Sequence, residues 1–129
     1  YVVEKITAAL NDDRKSVNGS RMLVLGLSYK KDVNDTRESP AIDIMGLLKR
    51  KGANIMYSDP YVPSFTYLGE TYESYDLTKG LGEFDCVAIL TDHSNVDYDY
   101  VVKEARLVFD GRNATAHLTP GSQCRIVKL

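Results

Sequence analysis

The chain has 129 residues, of which 43% are hydrophobic and 26% charged, and its net charge is −2. That length suits one domain able to bury a core without disulfide or metal staples. The weak charge gives no basis for binding nucleic acid or an anionic membrane, and no apolar run approaches the roughly 20 residues that cross a bilayer.

Val2, Val3, Ile6, Ala9 and Leu10 recur at helical spacing, which predicts a first helix from Val2 to Arg14. The chain does not begin with Met and this helix has no preceding cap, so the start reads as a cut or processed end of a longer protein. After the polar turn from Lys15 to Ser20 comes the nearly unbroken apolar run Arg21 to Leu27. Such a run suits a strand buried on both faces of a parallel sheet.

Ser39-Pro40 reads as an N-cap with proline at the first helical position. Ala41, Ile44, Met45 and Leu48 form the apolar stripe of that helix, and Gly52 can close it with a left-handed cap. Ala53 to Ser58 is a second strand, stopped by Asp59-Pro60. Tyr61 to Tyr75 has no clear period, and its tyrosines are expected to pack a long loop onto the sheet. A short helix near Leu77 to Gly82 follows, then a strand at Phe84 to Leu90, a helix at Asp97 to Ala105, a strand at Leu107 to Phe109, and a last strand at Cys124 to Val127. The alternation predicts an α/β fold, a Rossmann-like open parallel sheet flanked by helices.

In such sheets ligands bind beyond the carboxyl ends of the strands. Three polar segments follow apolar strands: Ser28 to Glu38, Thr91-Asp92-His93-Ser94, and Asp110-Gly111-Arg112-Asn113. The first sets Lys30, Lys31 and Arg37 against Asp32, Asp35 and Glu38. Its charges fit either a solvated loop of internal ion pairs or an anion site, and pattern alone leaves both open. Arg112 can likewise pair with Asp110 or Asp92, or meet a ligand. For His93 the expected role is a locally hydrogen-bonded residue at a helix start rather than a general base, and His117 has no evident partner. Cys86 sits in an apolar run and reads as a small buried hydrophobe, Cys124 is isolated, and neither the cysteines nor the histidines have metal-ligand spacing. No G-x-G-x-x-G and no Walker A sequence occurs. Unpaired cysteines without a secretory leader suit the cytoplasm.

Gly26-Leu27-Ser28-Tyr29-Lys30-Lys31-Asp32-Val33-Asn34-Asp35-Thr36-Arg37-Glu38-Ser39-Pro40-Ala41 resembles the opening signature of the C-terminal domain of the UDP-glucose/GDP-mannose dehydrogenase family. Tyr57-Ser58-Asp59-Pro60-Tyr61-Val62-Pro63, Thr91-Asp92-His93 and Phe109-Asp110-Gly111-Arg112-Asn113 follow in the family's order. The resemblance covers nearly the whole chain. It implies that residues 1–16 end a central helical region and that residues 17–129 form the nucleotide-sugar-binding domain. It also implies an NAD-dependent oxidation of a nucleotide sugar's C6 alcohol to a carboxylate, with two NAD per turnover, feeding polysaccharide synthesis in a homodimeric enzyme.

By the same resemblance Tyr29 and Lys30 contact the UDP-sugar, Arg112 is a second contact to it, and Arg37 reaches an NAD bound mainly by another domain. The family's nucleophilic cysteine and NAD-binding glycine motif have no counterpart here, so no catalytic residue is assigned and the piece by itself is expected to be inactive. The sequence looks most like the bacterial branch acting on UDP-N-acetylhexosamines, with UDP-N-acetylglucosamine as the hypothesis for the sugar. The alternative is a stand-alone nucleotide-binding or regulatory module that kept the fold without catalysis.

Overall fold

Five parallel strands form the central sheet of the computed structural model, which describes residues 1–129. They are β1 (Arg21–Leu25), β2 (Asn54–Ser58), β5 (Cys86–Ile89), β6 (Leu107–Asp110) and β7 (Arg125–Lys128), ordered β2-β1-β5-β6-β7. The helices are α1 (Val2–Asp12), α2 (Pro40–Arg50) and α3 (Tyr98–Glu104), with a 3-10 turn at Leu77–Lys79. None is long and apolar enough to cross a membrane.

The apolar runs are buried on both sides because consecutive residues of a strand face opposite ways. Met22, Val24, Cys86, Ala88, Leu107 and Phe109 pack with α1 and α2 on one face. Leu23, Leu25, Val87, Ile89 and Val108 meet Leu81, Phe84, Val101 and Ala105 on the other. This two-sided burial is the structural content of the predicted Rossmann-like sheet.

The ends of α2 follow the sequence cues. The Ser39 hydroxyl accepts a hydrogen bond from the Ala41 N–H, Pro40 opens α2, and Gly52 at φ +96° follows its last turn. Asp97 caps α3 by accepting from the Tyr100 N–H.

One reading needs correction. The segment predicted to be irregular contains an antiparallel hairpin, β3 (Ser64–Tyr67) paired with β4 (Glu70–Glu73). Leu68 and Gly69 both have positive φ, 49° and 83°, which is the backbone of a type I′ turn. Leucine at the first turn position hides the usual Asn-Gly or Asp-Gly signal. The hairpin packs Phe65, Tyr67 and Tyr72 against the core side holding α2, and Lys49 of α2 bonds both Glu70 and Tyr72.

Candidate functional site

In the sheet order the direction of winding reverses between β1 and β5, and the crevice beyond their carboxyl ends is where such sheets hold ligands. Residue 26 must be glycine there. Its φ is +93°, and a Cβ would lie 2.5–2.8 Å from atoms of Thr91. The close approach lets the Thr91 hydroxyl donate to the Ser28 carbonyl at 2.8 Å, so the segments after β1 and β5 are tied together.

A cleft of about 180 Å³ opens at this point. Ser28 and Tyr29 after β1, Ser39 and Ala41 at the start of α2, and Gly111 and Arg112 after β6 line it. The first turn of α2 adds the partial positive charge of its dipole. Asp110, only 1% exposed, shapes the turn that carries Arg112. Its carboxylate accepts from the backbone N–H groups of Arg112, Ala114 and Thr115 and from the Thr115 hydroxyl, at 2.6–3.1 Å. Burial pushes this carboxyl up, but those hydrogen bonds outweigh it and hold the group below its usual range. The Arg112 side chain is part-exposed, with Nε 3.5 Å from Asp92 Oδ1. Of the two candidate partners, Asp92 takes the guanidinium while Asp110 takes the backbone.

The charged loop divides its roles. Arg37 forms a two-pronged pair with Asp35, both contacts at 3.0 Å, and lowers the Asp35 carboxyl to about 2. The internal-pair reading therefore describes Arg37, whose side chain is nonetheless 88% exposed. Tyr29, Asp35, Arg37 and Glu38 line a second opening of about 350 Å³, so Tyr29 borders both openings. Lys30 lines neither of them. Its ammonium lies 5.8 Å from the centre of the Tyr29 ring, at the range of a weak cation–π contact.

His93 departs most from expectation. It is 1% exposed and bonds to residues distant in sequence, while the nearby helix start is capped by Asp97 instead. Its Nδ1 lies 2.7 Å from the Asp32 backbone nitrogen, and its Nε2 lies 2.9 Å from Asp59 Oδ2 and 3.1 Å from Ser28 Oγ. A serine, a histidine and an aspartate meet here without forming a nucleophile relay. Both oxygens face the same ring nitrogen, so the imidazole cannot take the serine proton while Asp59 holds its far side. Asp59 and this cluster escape sequence reasoning because nothing local marks Asp59 as more than a turn residue before Pro60.

Cys86 is fully buried and its thiol is pushed up to about 12 by that burial, which keeps it protonated at neutral pH. The Cys124 thiol is raised for the same reason. His117 lies exposed after β6, away from the cleft lining.

A profile of the UDP-glucose/GDP-mannose dehydrogenase family, UDP binding domain, matches residues 23–117. The UDP-glucose 6-dehydrogenase TuaD of Bacillus subtilis is 35% identical over 121 residues, covering 88% of this chain and 25% of that protein. A UDP-N-acetyl-D-mannosamine dehydrogenase of Methanococcus maripaludis is 29% identical over 125 residues, covering 91% of this chain and 28% of that one. The solved UDP-D-ManNAc dehydrogenase from Pyrococcus horikoshii superposes with a TM-score of 0.77 at 24% identity, over 98% of this chain and 29% of its own. That likeness supports the fold. The chain thus spans about a quarter of the length of these relatives. With its two-faced parallel sheet, its cleft at the β1/β5 reversal and a profile match over most of its length, the chain belongs to the UDP-glucose/GDP-mannose dehydrogenase family, as a UDP-binding domain.

Proposed function

We propose that this chain is one half of the substrate cleft of an NAD-dependent nucleotide-sugar 6-dehydrogenase. Tyr29, Lys30 and Arg112 contact the UDP-sugar, and Arg37 contacts the dinucleotide. The observation that carries the reading is the convergence of Tyr29 and Arg112, from strand ends far apart in sequence, on one cleft that the start of α2 also lines. A diphosphate suits the positive end of the α2 dipole and an arginine fork.

NAD would supply the hydride acceptor for the alcohol oxidation. The residues present fit a peripheral contact to it. Arg37 is exposed, and Asp35 holds only one edge of its guanidinium, which leaves N–H groups free to meet a phosphate. Tyr29, between the two openings, is placed to keep the two ligands in register.

Titration calorimetry of this chain with UDP tests the proposal. Binding is expected to be weak, because half a cleft desolvates only one side of the ligand. Arg112→Ala should lower affinity by about 1.5–3 kcal/mol, the range for losing a hydrogen bond to a charged group. An unchanged affinity would remove Arg112 from the site. In the full-length enzyme Arg37→Ala should weaken NAD, and an effect confined to the sugar nucleotide would mean the two arginines are interchanged. Turnover of UDP-N-acetylglucosamine, UDP-N-acetylmannosamine and UDP-glucose by that enzyme would rank the sugars. The UDP-N-acetylglucosamine hypothesis fails on a preference for UDP-glucose.

A further inference from the structure

Three adjacent strand ends converge on His93. Strand order puts β1 between β2 and β5. Asp59 follows β2, Ser28 follows β1 and His93 follows β5, so Asp59 and His93 meet across the end of β1. All three are at most 1% exposed.

The tautomer of His93 follows from its partners. A backbone N–H carries no lone pair, so His93 Nδ1 must accept from Asp32. The ring proton then sits on Nε2 and points at the Asp59 carboxylate, with Ser28 Oγ beside it. Asp59 Oδ2 also accepts the N–H groups of Leu27 and Ser28, and Oδ1 accepts that of Tyr61. Ser28 Oγ donates onward to the Lys30 carbonyl at 2.8 Å.

The imidazole therefore grips the β1 loop at two places, Asp32 directly and Lys30 through Ser28. These two places, the Lys30 carbonyl and the Asp32 N–H, flank the exposed Lys31 and fix the backbone that carries Lys30. Asp32, one of the gripped residues, sits in the left-handed region at φ +62°, which aspartate enters more readily than most residues. The Ser94 N–H and hydroxyl bonds to the Asp32 carboxylate, at 2.7 and 2.6 Å, support the same residue.

We infer that His93 and Asp59 are positioning residues, a buried pair that sets the geometry of the Tyr29–Lys30 segment for the nucleotide. The inference rests on the proposed role of that segment. His93 itself does not touch the ligand. It acts through the neutral ring's Nδ1 acceptor and Nε2–H donor, which point in fixed and opposite directions.

The test compares His93→Ala and His93→Asn with the unaltered chain. Nitrogen-15 NMR of His93 should show the neutral Nε2–H tautomer in the unaltered chain. In His93→Ala the Asp32 amide should lose hydrogen-exchange protection while the β1 and β5 amides keep theirs. UDP affinity should fall about tenfold or more, since misplacing a binding loop forfeits the contacts it carries. Asparagine restores an acceptor near the Nδ1 position, so His93→Asn should recover part of both the protection and the affinity, and it serves if the alanine variant fails to fold. Arg112→Ala should lower affinity without changing the His93 or Asp32 signals.

An alanine variant that keeps Asp32 protected and binds UDP normally overturns the inference. So does an Nδ1–H tautomer. If the unaltered chain binds no UDP, the proposed function fails, yet the Asp32 exchange and the tautomer still decide whether the pair holds the loop.

Discussion

A methyl group at position 26 has no room. Gly26→Ala would place a carbon within 3 Å of Thr91 in a backbone conformation that only glycine adopts freely. Relief requires moving β1's end away from β5's, which breaks the Thr91–Ser28 bond and shifts Tyr29. The variant is expected to lose about 1–3 kcal/mol of stability, as overpacked sites do, and to lose UDP binding disproportionately. Urea denaturation beside calorimetry measures both, and a stable variant with intact binding would contradict the account. Gly26 and the polar residues after it are legible in the sequence as a strand end. The partners of His93 are not, because each lies dozens of positions away and no spacing rule links them.

The elements differ in how clearly they announce themselves. The helix α2 carries its own boundaries in Ser39, Pro40 and Gly52. The β3–β4 hairpin does not, since its four-residue strands are short and its turn begins with leucine. The turn after β6 is an element whose backbone N–H groups gather on a single side chain. Asp110 gathers four donors there, and its folded pKa lies below the unfolded value of about 3.9. The stabilisation is therefore full above that value and is lost as pH falls through the folded pKa. Asp110→Asn should cost about 1–3 kcal/mol near neutral pH, by leaving buried donors poorly matched. The gap to the unaltered chain should close below about pH 4, read from denaturation curves across pH. A gap that stays constant down to pH 2 would mean the charge of Asp110 plays no part.

At the scale of the whole molecule, three strand ends form one cleft, and neither cysteine lines it. Both thiols are raised by burial, and Cys86 is fully enclosed in the sheet. This chain alone is expected to produce no NADH from UDP-sugars, followed by absorbance at saturating NAD. Appearance of NADH would overturn that expectation. Together with bound UDP, the negative result would separate recognition by this chain from the oxidation.

Sequence by itself determined the α/β alternation, the caps of α2, and the three polar segments at strand ends, because each depends on neighbours along the chain or on a repeat of two or 3.6 residues. It carried the family resemblance for the same reason, as ordered local motifs. Only the tertiary structure decided the strand order, and with it which segments face one another. It brought Arg112 and Tyr29 to one cleft, paired Arg37 with Asp35, and brought Asp59 and His93 together over the end of β1. Those contacts join residues whose separation in sequence is unrelated to their distance in space, so no local pattern encodes them.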